Sequence, residues 1–406
     1  MRSYSLFTIL LLCAAILLVD VLSFYWLQRI THLINASFLK NSIHILFWIF
    51  SVGLITVIII LKITLDDINP RRKHLLVSSL YGLTVSSFIP KILFVIIISV
   101  LFYGNYVFSE NQSLVVIPLV GVLSGVFPFF AISYAIFRAV YHFKIYKHKL
   151  YFNHLPESFA GLKIVHISDL HLGGFNKRYK VLKKAVNLIN ALHADFIFFT
   201  GDLVNNYAWE LVGWDKVFNQ LLAKKGKYAV LGNHDYGDYS KWETKADKIE
   251  NLNEIKRFYQ GVGFKLLLNS SEIVKRDEEA IAIVGVENWG RPPFKQYGDL
   301  QKALSLVAHI PFKILLSHDP THWNEEVIHN TDIALTLSGH THGMQLGLNY
   351  KNMTWSPIKY KYKHWAGLYE HNKQYLYVNR GLGWIGFPGR LGMRPEITYL
   401  ELHSNK

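Results

Sequence analysis

Four long apolar runs occupy the first 140 residues, and from about Tyr151 the pattern changes to short apolar runs separated by polar, Gly-rich loops. A helix needs roughly 20 apolar residues to cross about 30 Å of hydrocarbon. Leu6–Trp26 meets that length and ends in the interfacial aromatics Tyr25 and Trp26. Ile43–Leu61 is a second span, closed by Lys62. Leu75–Gly104 is longer than a span needs and is interrupted by Pro90 and Lys91. Its part from about Phe88 onward is read as the span, the earlier part as interfacial or a tilted extension. Leu114–Phe137 is the fourth; its Pro118 and Pro128 are tolerable because neighbouring helices can satisfy freed backbone groups. The first run has no clear small-x-small cleavage site before further spans follow, so it is expected to be a signal-anchor rather than a cleaved leader.

The second part alternates strand and helix patterns. Leu162–Ser168, Asp195–Thr200, Lys227–Leu231, Ala280–Val286, Lys313–Ser317 and Asp332–Leu337 read as strands, and Tyr179–Leu192 carries a helical period. Such interleaving predicts an α/β architecture. The Tyr- and Trp-rich tail from about Lys351 is expected to add strands closing a second sheet. The domain expectation is therefore a transmembrane anchor of about four helices over residues 1–150, then a second domain over 151–406.

Charge sharpens this division. Twelve of the 43 Lys and Arg, but only four of the 29 Asp and Glu, fall in the first 150 residues. More than half of the net charge of +14 thus flanks apolar segments, as orientation in a bilayer requires, and no nucleic-acid partner is expected. Arg71, Arg72 and Lys73 sit between spans two and three, and Arg138, Lys144, Lys147 and Lys149 follow span four. Asn105–Ser113 has no Lys or Arg; Arg29 and Lys40 in the first loop are a mild objection. The balance predicts a multi-pass inner-membrane protein with both termini and the second domain in the cytoplasm. Cys13 is the single cysteine, so a thiolate metal site is excluded. Fourteen of the nineteen His residues come after position 150, which points to metals held by imidazole and carboxylate.

Five polar clusters follow the predicted strands directly. They are Ser168-Asp169-Leu170-His171, Thr200-Gly201-Asp202, Leu231-Gly232-Asn233-His234-Asp235, Ser317-His318-Asp319 and Ser338-Gly339-His340-Thr341-His342. Strand C-termini are where open α/β sheets place ligands. Any one cluster is a weak signal; five in this order, each after a strand, form a pattern. Asp-x-His, Gly-Asp, Gly-Asn-His-Asp, a later His and Gly-His-x-His together resemble the signature of the calcineurin-like metallophosphoesterases, over about Leu162–His403. Val230–Tyr236, Ser338–Gln345 and Asn379–Leu400 resemble a bacterial, membrane-linked branch, although Gly343-Met344-Gln345 departs from its usual Gly-Gly-Gln.

The resemblance implies a β-sandwich of two mixed sheets flanked by helices. It implies two divalent ions, one on Asp169, His171, Asp202 and His342, the other on Asp202, Asn233, His318 and His340. Carboxylate, amide and imidazole donors suit Mn²⁺, Fe or Zn²⁺, and two ions sharing a carboxylate can activate a bridging hydroxide. His234 would face the phosphoryl group as charge stabiliser or proton donor, with Asp235 bonded to its other nitrogen. Arg380 and Arg390 are candidate phosphate contacts, because Arg binds phosphate through a planar fork. His166 is expected as a sheet neighbour, Glu287 and Asn288 in a loop, and Asp319 and His322 at a helix start. The expected activity is hydrolysis of a phosphoester or pyrophosphate bond, with a lipid-linked molecule as one substrate class. Soluble nucleotide or protein phosphoesters are the alternative, and an inactive membrane scaffold a third reading. A transporter is disfavoured, since Asp20, placed near a span's end, is the one acidic residue offered by the spans.

Overall fold

The computed structural model describes residues 5–65, 67–109, 113, 115–350 and 353–405, and all counts refer to these. Leu114 and Lys351, where the sequence pattern starts the fourth span and the closing strands, lie outside them. The chain divides into two compact units. One is helical and runs to Phe137, with Gly386–Gly389; the other comprises Arg138–Ile385 and Arg390–Lys406.

In the helical unit, α1 (Leu6–Thr31), α2 (Ser37–Thr64), α3 (Pro70–Phe108) and α4 (Val116–Phe137) are long and apolar enough to cross a membrane. Large apolar side chains such as Phe7, Phe38, Ile63 and Phe127 stand exposed around them, as helices bathed in lipid require. α3 runs unbroken through Pro90, so its two predicted parts form one helix of 39 residues. α1 also extends beyond Trp26, and this corrects the placing of Asp20. It lies fourteen residues from one end of the helix and eleven from the other, buried in the bundle rather than at a span's end. Its Oδ1 accepts from Lys91 Nζ of α3 at 2.6 Å, and Lys91 also donates to Ser51 Oγ of α2 at 3.1 Å. A charge in hydrocarbon is expensive unless paired, so Lys91, which looks like an interruption in the sequence, joins three helices.

The second unit holds β1 (Lys144–Phe152), β2 (Leu162–Ile167), α5 (Tyr179–Asn190), β3 (Phe196–Phe199), β4 (Gly226–Ala229), α6 (Lys245–Gly261), β5 (Lys265–Leu266), β6 (Ser270–Arg276), β7 (Glu279–Gly285), β8 (Lys313–Leu316) and β9 (Leu335–Ser338). The small hairpin β10 (Leu348–Tyr350) and β11 (Met353–Trp355) follows, then β12 (Gly367–His371), β13 (Gln374–Val378) and β14 (Glu396–Ser404). Two mixed six-stranded sheets result, in the orders β1-β14-β2-β3-β4-β5 and β12-β13-β9-β8-β7-β6. The tail supplies both: β12 and β13 extend the second sheet, whereas β14 enters the first between β1 and β2. β1 crosses the boundary expected at residue 150, because its nine residues pair in register with β14.

Period-two alternation builds the layers. Phe196 and Phe198 of β3 meet Ile283, Ile314 and Leu337 of the second sheet. Ile197 and Phe199 face the other way, into a core with Leu182 and Val186 of α5 and Ile255 and Tyr259 of α6. Strands buried on both faces read as continuous apolar runs, which is why these were visible in the sequence. β2, β3 and β4 are parallel to one another, as are β7, β8 and β9, so their C-terminal ends gather the loops that follow.

Candidate metal centre

Those loops carry the five polar clusters, and they are held in an unusual backbone. Asp169 (φ 52°), His171 (47°), Asp202 (58°), His340 (71°) and His342 (52°) all occupy the left-handed region. Non-glycine residues there are uncommon and persist where surrounding structure over-determines them, typically at functional sites. Close approach requires glycine beside them. A Cβ on Gly339 would fall 2.0 Å from Ser168 Oγ and 2.2 Å from Asp169 Oδ2, and one on Gly232 would fall 2.2 Å from Asp202 Oδ1. Met344 stands at φ 55°, where the Gly of the usual motif would sit without strain.

Seven predicted residues converge. Asp169, His171 and His342 form one group able to hold a metal ion, and Asp202, His318 and His340 another. In the first, His171 Nε2 lies 3.1 Å from His342 Nε2, which is 3.3 Å from Asp169 Oδ1. In the second, Asn233 Oδ1 lies 2.8 Å from His340 Nδ1 and 3.1 Å from His318 Nε2. Asp202 Oδ2 joins them, 3.5 Å from His171 Nε2 and 3.3 Å from His318 Nε2. Ligands about 2.0–2.2 Å from a common ion stand about 3.0–3.5 Å from one another, so these separations fit two coordination shells sharing Asp202.

The outer nitrogens agree. His318 Nδ1 donates to the Thr200 carbonyl at 2.6 Å, leaving the Nε2 lone pair facing the oxygens of Asp202 and Asn233. His340 Nε2 is 3.0 Å from Tyr362 Oη and 3.4 Å from Asp319 Oδ2, which leaves Nδ1 for the cluster. A ligating imidazole is oriented in just this manner, by a partner on its far nitrogen. A lone pair opposed to acceptors is repulsive unless a cation stands between them. Accordingly, although burial opposes charge on His318, the Asp202 carboxylate draws its pKa up to about 10. Burial likewise opposes ionisation of Asp169 and Asp202, but the facing histidines hold both carboxyls below the usual range.

His234 stands beside this cluster, its ring 5.0 Å from that of His171. Its backbone N–H donates to Asp202 Oδ1 at 2.9 Å. The expected partner of its side chain is corrected: Nδ1 donates to the Asn205 carbonyl at 2.7 Å, not to Asp235. The Asp235 carboxylate is fully engaged by backbone, accepting from the N–H groups of Asp202, Leu203, Val204 and Gly232 at 2.9–3.2 Å. Burial and the nearby Asp202 charge nevertheless push its pKa up to about 7.

Arg380 and Arg390, the candidate phosphate contacts, are placed inside the fold. Arg380 is buried, with Nη1 2.5 Å from Glu396 Oε2. Arg390 is wholly buried and donates to the carbonyls of Arg380, Gly383 and Met393. The Arg390 fork is thus spent on main-chain carbonyls, and the Arg380 fork is turned to Glu396. His166 bonds Thr200 Oγ1 within the sheet, and Glu287 accepts from Tyr236. Asn288 donates to the Lys295 carbonyl, and His322 lies 2.9 Å from Ser317 Oγ. Asp319 starts a turn through Thr321 while also facing His340.

Sequence reasoning missed Tyr239, whose Oη accepts from Asn233 Nδ2 at 2.9 Å, and Tyr362 on His340. It also missed Glu210, whose carboxylate gathers the N–H groups of Gly173, Asn205, Asn206 and Tyr207. Tyr239 was reachable, five residues past His234; nothing in the sequence points to the other two.

Comparison with known proteins bears on both units. The profile described as "Calcineurin-like phosphoesterase" matches residues 162–344. The profile described as "Probable Calcineurin-like phosphoesterase, transmembrane domain" matches residues 2–140. A "Transmembrane protein with metallophosphoesterase domain" of Danio rerio is 32% identical over 61% of this chain and 54% of its own length. The match thus spans about half of that relative, and likewise of its Bos taurus counterpart. The "Uncharacterized metallophosphoesterase YkuE" of Bacillus subtilis is 31% identical over 62% of this chain and 82% of its own length. The "Phosphodiesterase YaeI" of Escherichia coli is 26% identical over 64% and 88%. An identity of 31% across four-fifths of a metallophosphoesterase, together with matches to both the catalytic and the membrane profile, shows that this chain belongs to the calcineurin-like phosphoesterase family, as a membrane-spanning member.

Proposed function

We propose that the protein hydrolyses a phosphoester or pyrophosphate bond at a dinuclear centre formed by Asp169, His171, Asp202, Asn233, His318, His340 and His342. The observation that carries this reading is the approach of Asp202 Oδ2 to a histidine of each donor group, 3.5 Å from His171 Nε2 and 3.3 Å from His318 Nε2. Two ions of the Mn²⁺, Fe or Zn²⁺ type bound there would lower the proton affinity of a water and neutralise phosphoryl charge. The protein's own groups do the rest. Asp202 fixes the spacing of the two halves, and its Oδ1 holds the His234 backbone at 2.9 Å. The Asn205 carbonyl keeps the proton on His234 Nδ1, so Nε2 is the nitrogen free to donate to a leaving oxygen when the ring is protonated. Asp235 acts as a positioning residue, tying the loops of Asp202 and Gly232 together through their backbone.

The test separates ligands from the proton donor. Asp202→Asn should abolish turnover and lower bound metal toward one ion or none. His234→Ala should cut turnover strongly while metal content stays near two. Loss of both ions from His234→Ala would sink the assignment.

For substrate and sidedness, the reading is a lipid-linked phosphoester met at the cytoplasmic face of the inner membrane. Its support is the four spans and the link of Arg138–Phe143 between α4 and β1, with the basic residues around it. Full-length protein offered a lipid-linked and a soluble phosphodiester should turn over the former faster. Preference for the soluble ester would discard the lipid reading and leave the hydrolase assignment intact.

A further inference from the structure

The helical unit contains a cavity unrelated to the metal centre. It has a volume of about 470 Å³ and lies where α1 and α3 end and α4 begins. That is within the range of ligand sites, about 300–1,000 Å³. α4 spans 22 residues, about 33 Å at 1.5 Å per residue, so the cavity lies at the end of the bundle opposite the C-terminus of α4.

Its chemistry is specific. Aromatic and aliphatic side chains form most of the wall, with Gln28, His32, Asn105 and Ser113 among them, and no Asp or Glu lines it among the described residues. One cation stands in it. The Arg29 guanidinium carbon is 4.7 Å from the Tyr25 ring centroid, 4.9 Å from that of Phe102 and 5.5 Å from that of Trp26. Trp26 is itself fixed, donating Nε1–H to Ser99 Oγ of α3 at 2.9 Å. Stacking uses the faces of a guanidinium and leaves its N–H edge, and among the described residues Arg29 has neither a carboxylate partner nor a protein acceptor for that edge. Arg29 is 23 residues past Leu6 on α1, roughly 35 Å along the helix, against about 30 Å of hydrocarbon. The guanidinium therefore stands at headgroup depth, with Ile98, Ile117 and Pro118 lining the cavity beside it.

We infer that this cavity binds one phospholipid, its phosphate on the Arg29 fork and its acyl chains against the aliphatic wall. A planar fork with free donors matches a phosphodiester bidentately, the apolar wall matches the tails, and the depth matches the boundary between the two. The site is independent of which phosphoester the hydrolase unit cleaves.

The test uses full-length protein in mild detergent, with native mass spectrometry counting retained lipid. Three probes are added at equal concentration: dioleoyl phosphatidylglycerol, dioleoylglycerol and soluble glycerophosphate. Parent protein should retain one phosphatidylglycerol at least tenfold more strongly than dioleoylglycerol, and glycerophosphate should not displace it. R29Q should lose that preference and R29K should keep only part of it, while turnover of a soluble phosphoester in both matches the parent. Equal retention of dioleoylglycerol, displacement by glycerophosphate alone, or undiminished retention by R29Q would each overturn the proposal. Should both variants fail to fold, the three-probe comparison on the parent still decides it.

Discussion

Replacing Arg380 by Met separates a structural arginine from a substrate-binding one. Met keeps most of the apolar stem and deletes the charged fork, whose guanidinium carbon lies 4.7 Å from the Tyr146 ring centroid. What remains is Glu396, fully buried, with its carboxylate accepting from Tyr377 Oη at 2.6 Å and Thr398 Oγ1 at 2.8 Å but without its cation. Removing one partner of a buried pair costs about 3–5 kcal/mol. At about 2–4 °C per kcal/mol for a domain of this size, apparent Tm should fall by about 6–20 °C. The pH dependence adds a second signature. Burial alone would raise the Glu396 carboxyl, yet pairing with Arg380 holds it below its ordinary value. In the parent its contribution is therefore present above about pH 4.3 and is lost as pH falls through the depressed value. Without Arg380 burial acts unopposed by that charge and the carboxyl moves up, so the variant suffers most at neutral and alkaline pH, where Glu396 is forced to ionise. The deficit relative to the parent should shrink on acidification, and adding Glu396→Gln should recover part of it at pH 7.5. Thermal unfolding of the full-length protein followed by tryptophan fluorescence at pH 7.5 and 5 reads both effects. An unchanged Tm with a raised KM would refute the structural role and return Arg380 to the substrate.

Three further outcomes follow from the geometry. Gly339→Ala, whose Cβ would collide with Ser168 Oγ and Asp169 Oδ2, should lower bound metal measured by elemental analysis; full metal content would show that the loop can give way. Lys91→Met should destabilise the helical unit by about 3–5 kcal/mol by stranding Asp20, and Asp20→Asn added to it should restore much of the loss in a detergent melting assay. No recovery in the double variant would mean that Lys91 matters for packing rather than charge. A reporter active only in the cytoplasm should work when fused after Lys406, and activity from a periplasm-only reporter there would overturn the charge argument for orientation.

The legible part of this protein is the part where chemistry follows a buried strand directly. β3 reads as Phe-Ile-Phe-Phe because both of its faces are covered, and Gly201-Asp202 stands at its end. The same holds for Asp169 after β2 and for His340 after β9. Partnerships formed through folding were not legible. Asp235 is adjacent to His234, and the natural reading pairs the two. Yet its carboxylate turns inward to four backbone N–H groups, while His234 is met by a carbonyl 29 residues away. Arg380 and Arg390 lie in a Gly-rich run of the kind that often contacts phosphate, but whether a fork faces solvent depends on where Glu396 lands, and β14 brings it back between β1 and β2.

The membrane unit shows the same limit from the other side. Run length and Lys/Arg counting treat each span alone, so Asp20 and Lys91 appear as separate blemishes in apolar sequence, and Arg29 appears as a charge on the wrong side of the count. Once folded, the first two are 2.6 Å apart and the third is stacked among three aromatic rings. Each exception to the apolar pattern thus acquires a partner or a ligand chemistry. A helix that served only as a tether would gain nothing from a buried charge that costs several kcal/mol when unpaired. The pair also narrows how these helices can assemble, because sliding α1 past α3 by one turn, about 5.4 Å, would break it and leave both charges in hydrocarbon. The bundle is therefore specified in register as well as in length, and a cavity whose shape depends on that register, as the one around Arg29 does through Trp26 and Ser99, can be selective for what it holds.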